Sequence, residues 1–350
     1  MKPYITGVLL KDFRNHVFWT ASFESKHILL CGKNGAGKTS ILEAISKLSP
    51  GLGLRSASNT EMIRSGTLSW EVSLKFAGGA DLREVGMGYC EDKRVTRVNG
   101  KPVQCFKKVI DLVKVMWLTP QMCNVFTTDK SVRRRFFDRM VALYEPQHLE
   151  NLVMYERFKS ERLKILGARE SKIWLEVNEK KLAELCISIT DARVNFIRQL
   201  MSNFPPSGFG SLEIKLLCPV AGSIDKVGPS EQMECIQSAL ERSRAADTVT
   251  GKMQFGVHRT DFLATARQGE NTARCYSTGE QKLLILGIIL AAGELIDIIL
   301  LDDIFAHLDP QNSSAFLSEV TKKNCQFFFS DLDNSKFVQF ADVIQTIQVQ

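Results

Sequence analysis

The run Gly32-Lys33-Asn34-Gly35-Ala36-Gly37-Lys38-Thr39 sets glycines, a lysine and a hydroxyl at the spacing G-x-x-x-x-G-K-[ST]. Glycines let consecutive backbone N–H groups curl around a phosphate, and a helix opening straight after the loop turns its unpaired amide donors toward the same anion. In that reading Gly32, Lys33, Asn34, Gly35, Ala36, Gly37 and Ser40 cradle a nucleoside triphosphate, Lys38 reaches its β- and γ-phosphates, and Thr39 ligates Mg²⁺. Such a loop requires a second metal group. In "IILLDD" the apolar residues Ile298 to Leu301 deliver Asp302 at the carboxyl end of a buried strand, as that Mg²⁺ partner. Asp303 stands next along, to orient or deprotonate an attacking water or, in the plainer alternative, only to cap a turn.

The elements that must position these residues are legible around them. "YITGVLLKDF" alternates as a strand, "HILLCG" is a short apolar run ending in glycine, and "SILEAISKL" has helical spacing through Ile41, Leu42, Ile45 and Leu48, so the loop lies between strand and helix. From Thr67 to Val103 short alternating runs broken by Gly78, Gly79 and the turn dipeptide Asn99-Gly100 predict antiparallel strands. From Gln147 to Phe204 the apolar spacing predicts two or three helices with no sustained heptad, ended by Pro205-Pro206-Ser207-Gly208. "SLEIKLLC" then reads as a strand, Met233 to Arg244 as a charged helix, "LLILGIILAAGEL" as a buried helix and "CQFFFS" as a further strand.

With 350 residues, 44% of them hydrophobic and 24% charged, the chain has the composition of a folded protein. No signal peptide is read at the start, and the uncharged stretch between Lys282 and Glu294 is too short to cross a bilayer. Nine singly placed cysteines without a C-x-x-C pair point to reduced thiols and a cytoplasmic location rather than to a metal or disulfide framework. The net charge of +6 permits phosphate contacts without demanding them. Arg133, Arg134 and Arg135 at a helix start, with Arg139 nearby, and the pair Lys107-Lys108 are the candidate DNA contacts; a solvated helix face is the alternative. Arg55 in "GLGLR" is a further candidate for DNA or nucleotide.

Ser277-Thr278-Gly279-Glu280-Gln281 opens the buried helix and resembles the signature of ABC-type ATPases, commonly S-G-G-Q, with Thr278 in place of the first glycine and Glu280 inserted before Gln281. That resemblance implies that Ser277 and the N–H of Gly279 grip the γ-phosphate of ATP bound to a second copy. "AHLDP" follows at the spacing of a D-loop, placing Asp309 at the pairing face, with an ordinary N-cap before Pro310 as the compatible alternative. Gln121 in "WLTPQM" falls where a Q-loop glutamine contacts the metal. Asp303 is a methylene shorter than the glutamate usual in ABC-type sites, so slow hydrolysis is expected, and "FFFSDLD" offers Ser330 and Asp331 where a switch histidine is usual. The expected fold is therefore α/β: an ABC-type P-loop head with a mixed sheet and flanking helices, residues 1–125 and 290–350, plus a mostly helical second lobe, 126–289, without a long coiled coil.

Together with "LKDFRNH", "SPGLGLRSAS", "SVRRRFFDRM", "YERFKSER" and "GVHRTDF", these motifs resemble the RecF family of bacterial DNA replication and repair proteins over nearly the whole chain. The resemblance implies ATP and Mg²⁺ as cofactors and an ATP-dependent homodimer on gapped or junction-containing double-stranded DNA. It also implies cooperation with RecR in loading recombinase onto single-stranded DNA. A transporter ATPase would have far fewer residues between Gln121 and Ser277, and a full SMC protein would need hundreds of heptad residues there. A monomeric P-loop kinase or GTPase would leave the signature and D-loop as coincidences.

Overall fold

The computed structural model describes residues 2–79, 81–104, 107–168, 171–205, 208–209, 212–225, 227–266, 273–306 and 308–350. They form two compact units, one of Met1–Asn124, Asn203–Gly210 and Ser277–Gln350, the other of Val125–Ser202 and Ser211–Tyr276. The first unit begins with β1 (Tyr4–Phe13), β2 (His16–Ser22), β3 (His27–Cys31) and α1 (Lys38–Ser46). It continues through β4 (Ser69–Ala77), β5 (Glu84–Cys90), β6 (Lys93–Val98), β7 (Lys101–Pro102), α2 (Lys107–Leu112) and β8 (Val115–Leu118). The second unit holds α3 (Lys130–Tyr144), α4 (Gln147–Ala168), α5 (Lys172–Ser202), β9 (Leu212–Leu217), α6 (Pro219–Ile224), α7 (Gln232–Thr250) and β10 (Asp261–Ala266). The chain then re-enters the first unit with α8 (Thr278–Ala292), β11 (Ile298–Asp302), α9 (Pro310–Thr321), β12 (Gln326–Asp331) and β13 (Ile344–Gln348).

Two sheets build the first unit. The antiparallel one, in the order β2-β1-β4-β5-β6-β7, buries one face: Trp70, Val72 and Leu74 of β4 and Val85 and Met87 of β5 turn inward while Glu71, Lys75 and Glu84 face water. The turn between β6 and β7 has positive φ at both Asn99 (50°) and Gly100 (78°), the geometry that matches the right-handed twist of a two-residue hairpin. The second sheet, β13-β3-β12-β11-β8, is parallel throughout. Every residue of β3, β8, β11 and β12 is buried, as expected of a sheet covered on both faces. On one face Ile28, Leu30, Leu300 and Phe328 share a core with α1 and the inward side of the antiparallel sheet. On the other, Phe327 and Phe329 meet Phe305, Phe316 and Phe337 in a chain of aromatic contacts 5.2–6.5 Å apart.

The parallel register fixes where the chemistry can be. Asp302 pairs with Ser330, and Ser330 and Asp331 pair with Leu30 and Cys31, so the carboxyl ends of β11, β12 and β3 stand side by side. The glycine-rich loop leaves from Cys31 at that edge.

One boundary differs from the sequence expectation. The helix opened by Ser277 was assigned to the helical lobe, whereas α8 belongs to the first unit. Its residues from Leu284 to Ala292 are buried all round, and it packs against α9. Gly287 explains part of this placement: a Cβ there would lie 2.6 Å from the ring of Phe204 and 3.0 Å from Phe209, two aromatics from the short segment that also joins the first unit.

Within the second unit α4 and α5 pack against each other, and α7 packs on both. Its buried centre is charged as well as apolar. Arg162, fully buried, donates to Glu179 Oε1 (2.9 Å), Asp247 Oδ2 (2.6 Å) and the Leu240 carbonyl (2.8 Å), while Arg244 also holds Glu179. Removing the guanidinium leaves two carboxylates out of water without a full partner. Arg162→Met should therefore cost about 3–5 kcal/mol of stability, read as a lowered urea midpoint of the helical unit by circular dichroism; a loss below about 1 kcal/mol would mean that water reaches the two acids.

Candidate functional site

The loop after β3 is shaped by its glycines. Gly35 and Gly37 adopt positive φ (83° and 98°), and Gly37 is the N-cap of α1. A Cβ on Gly37 would fall 2.3 Å from His16 Nε2, whereas one on Gly35 would project into open space. Asn15 Nδ2 donates to the Gly35 carbonyl (3.2 Å) and His16 Nε2 lies 3.2 Å from the Gly37 carbonyl, so the turn between β1 and β2 supports the loop from behind. Burial lowers the His16 pKa, opposed by that carbonyl contact. Lys38 Nζ folds over the loop, donating to the carbonyls of Gly32 (2.5 Å) and Lys33 (3.0 Å). Amide donors at the start of α1 and one ammonium thus meet at one concavity, the arrangement that holds polyphosphate.

Beside the loop, Thr39 Oγ1 donates to Asp302 Oδ1 at 2.9 Å. Adjacent oxygens around an octahedral Mg²⁺ with bonds of about 2.1 Å stand about 3.0 Å apart, so this pair fits two neighbouring positions of such an ion. Gln121 is exposed and lines the same depression with Thr39, Arg55, Thr119, Asp302 and Asp303, which brings all three expected metal contacts together. Asp302 accepts a second hydrogen bond on the same oxygen from Ser330 Oγ (2.7 Å), and Ser330 Oγ in turn accepts the Asp303 N–H (2.9 Å). Asp303 is exposed and left-handed (φ 47°). Its pKa is raised by partial desolvation and then by Asp331 and Asp302, against the opposing pull of Lys38 and Lys282.

Glu43, Arg14 and Arg64 had no role in the sequence reading, whereas Arg55 was named there as a candidate for DNA or nucleotide. Glu43, fully buried on α1, takes a bidentate pair from Arg14 (2.8 and 2.6 Å) and lies 3.6 Å from Arg55. Arg14, Arg55 and Arg64 line, with Lys38, Thr39, Asp302 and Asp303, a cleft of about 650 Å³. The signal was available: a carboxylate one turn beyond Thr39, set among Ile41, Leu42, Ala44 and Ile45 on a buried helix, must have a cationic partner. Lys282, one turn into α8, donates to the Ala306 carbonyl and so ties the signature helix to the segment before Asp309.

Ser277, Thr278, Gly279 and Glu280 are exposed, and Ser277 and Gly279 do not line the cleft of their own chain. Glu280, read as an insertion, completes a capping box: Ser277 Oγ accepts the Glu280 N–H (3.3 Å) and Glu280 Oε2 accepts the Ser277 N–H (2.8 Å). Asp309 caps α9 through Asn312 N (2.8 Å) with Pro310 behind it, and stays exposed; its neighbour His307 lies outside the described residues.

The basic run needs correction. Arg133 is 1% exposed, with Nε and Nη2 on Asp261 at 2.8 and 2.6 Å, so it is not available to a phosphate. Arg134 is half-buried and donates to the Thr260 carbonyl (3.1 Å). Arg135 and Lys108 are exposed, while the side chain of Lys107 lies outside the described residues.

A parallel sheet bearing a glycine-rich phosphate loop, an adjacent antiparallel sheet and a serine-capped helix with an exposed first turn together define an ABC-type ATPase head of the SMC kind. The family model described as the RecF/RecN/SMC N terminal domain matches residues 4–350. Among relatives, the DNA replication and repair protein RecF of Rhizobium rhizogenes is 32% identical, over 99% of this chain and 97% of its own. That of Rickettsia canadensis is 30% identical, over 99% of both chains. The chain belongs to the RecF family. In structure it is similar to the recombination mediator protein RecF-ATPrS of the RecFOR pathway, with TM-score 0.85 at 21% identity, covering all of this chain and 96% of that one. It is also similar to the Smc head domain of Pyrococcus furiosus, with TM-score 0.57 at 17% identity over 99% and 94% of the chains. No helix among the described residues is long and apolar enough to cross a membrane.

The raised pKa of Asp303 has a testable sign. A carboxylate whose folded pKa lies above its unfolded value costs stability once ionised, and that cost vanishes as pH falls through the folded pKa. Asp303→Asn should raise the melting temperature at neutral pH in metal-free protein, and the gain should shrink as pH falls from the raised folded pKa toward the ordinary aspartate value and be absent below it. A gain independent of pH would assign it to asparagine's tolerance of the left-handed backbone alone.

Proposed function

We propose that this protein is an ATP-dependent DNA-binding switch of recombinational repair and replication-fork maintenance. The observation that carries the reading is the separation of two half-sites on one unit. Lys38, Thr39, Asp302 and Asp303 line the cleft and Gln121 an adjoining depression, while Ser277 and Gly279 lie exposed outside both. A second copy can bring its Ser277 and Gly279 to the γ-phosphate held by the first, with Asp309 at the same face, so that ATP joins two protomers. The kinship with RecF proteins, themselves named for DNA replication and repair, supports the setting.

In this reading Gly32 to Gly37 and Ser40 surround the phosphates with N–H donors, and Lys38 leaves the carbonyls of Gly32 and Lys33 for the β- and γ-phosphates. Thr39 and Asp302, with Gln121, would hold Mg²⁺, which screens the charge of the phosphates when bound. For hydrolysis Asp303 orients a water and takes its proton as the water oxygen bonds to the γ-phosphorus and the bond to ADP breaks. Its side chain, one methylene shorter than the usual glutamate, makes this step slow, as suits a timer rather than a metabolic enzyme. DNA contact is sequence-independent and electrostatic, through exposed cations such as Arg135 and Lys108; the expected substrates are gapped or junction-containing duplex, with RecR as partner in loading recombinase onto single strands.

The tests separate the two half-sites. Lys38→Ala should weaken ATP binding by roughly a hundredfold and remove ATP-dependent DNA retention with it. Ser277→Arg should bind ATP like the wild type yet sediment as a monomer with ATP present. A Ser277→Arg protein that still pairs on ATP would take Ser277 out of the interface, and DNA retention indifferent to Lys38→Ala would reject the ATP switch.

A further inference from the structure

We infer that Ser330 is the positioning residue that couples the metal-side carboxylate Asp302 to the backbone of Asp303, in the place where related heads use a switch histidine. The inference rests on the proposed nucleotide site but concerns an internal geometry that exists without nucleotide. Ser330 is 2% exposed, and its register partner in the parallel sheet is Asp302 itself. Its hydroxyl hydrogen goes to Asp302 Oδ1 (2.7 Å), and a lone pair of its oxygen receives the Asp303 N–H (2.9 Å). A hydroxyl has one hydrogen, so these two bonds fix the direction of the chain: Asp303 N–H to Ser330 Oγ to Asp302 Oδ1.

The backbone explains why such a link is needed. Asp303 is a non-glycine residue at φ 47°, a conformation that costs about 1 kcal/mol or more and persists only where surroundings hold it. The first residue past a buried strand has lost its ladder partner, and the Ser330 hydroxyl supplies an acceptor in its stead. A histidine here would meet a nucleotide directly. Serine is too short and is already engaged, so Ser330 acts through its two neighbours: it aims Asp302 toward Thr39 and sets where the Asp303 carboxylate begins.

Three readouts on the full chain test this. Ser330→Ala should leave ATP affinity, measured with a fluorescent ATP analogue, within about twofold of wild type, because no group that would touch the phosphates is altered. Turnover should fall about tenfold and the Mg²⁺ concentration for half-maximal turnover should rise. Ser330→Thr keeps the hydroxyl and should restore both. Hydrogen exchange at the Asp303 amide keeps the test independent of hydrolysis: it should accelerate in Ser330→Ala and return in Ser330→Thr. Unchanged exchange in Ser330→Ala, or unchanged kcat and Mg²⁺ dependence in a protein that does turn over, would overturn the inference. A wild type that binds no ATP yet shows the exchange pattern would instead reject the nucleotide site and leave the coupling standing.

Discussion

One carboxylate oxygen ties the head together. Asp302 Oδ1 receives a hydroxyl from Thr39 on α1 and another from Ser330 on β12, and Asp302 itself ends β11. Three elements therefore converge on a single acceptor that is 8% exposed. Such a carboxylate is costly to bury alone, and two charge-assisted hydrogen bonds offset that cost only if all three elements are in register. The parallel sheet provides this: a one-residue slip of β12 would exchange Ser330 for Phe329 or Asp331, placing either a ring or a second negative charge against Asp302.

The two units use charge differently. In the first, Arg55 is partly exposed and the ammonium of Lys38 rests on carbonyls, a weak attachment that a phosphate would outcompete. In the second, Arg133, Arg162 and Arg193 are at most 1% exposed and each holds at least one aspartate or glutamate. Arg193 grips Asp138 with two nitrogens at 2.8 Å while His148 meets the same carboxylate at 3.0 Å. These buried pairs set how helices meet but contribute no attraction for DNA. The motifs "SVRRRFFDRM", "YERFKSER" and "GVHRTDF" meet here, through Arg133 with Asp261 and Tyr155 with His258. Arg133, Arg162 and His258 hold the second unit together, whereas Arg135, Arg157 and Arg259 of the same motifs are exposed.

What the sequence made legible follows from how local each feature is. The strand-loop-helix around Lys38 and the carboxyl-end placement of Asp302 depend on short apolar runs and on glycine's backbone freedom, and both are present in the fold. Arg133 was misjudged because its partner Asp261 lies 128 residues on, and a basic run looks alike whether its inner face meets water or an aspartate. The link from Ser330 to Asp303 was hidden for a related reason. It requires knowing that β11 and β12 are neighbours and in which register, which no spacing within "FFFSDLD" encodes. The helix after Ser277 was correctly read as buried but given to the wrong core, since the residues that claim it, Phe204 and Phe209, sit across a proline-rich break.

The capping box at Ser277 bears on the proposed pairing. The Ser277 hydroxyl donates to Glu280 Oε2 at 2.7 Å, and this bond, with the Ser277 N–H, holds the Glu280 carboxyl below its ordinary pKa. Glu280 is thus an anion beside the helix end that, in the proposed pairing, would meet a partner's γ-phosphate. Two consequences oppose each other. The box orders the start of α8 and so prepares the Gly279 N–H, while the charge repels phosphate and the serine hydrogen must be released before it can serve. A net attraction then requires the amide donors at the helix start and the γ-phosphate's full charge together. Loss of the γ-phosphate would leave the carboxylate free to reclaim the serine. Under the proposed pairing, Glu280 would thus make pairing conditional on a triphosphate, and the departure from S-G-G-Q would serve as a threshold rather than a defect.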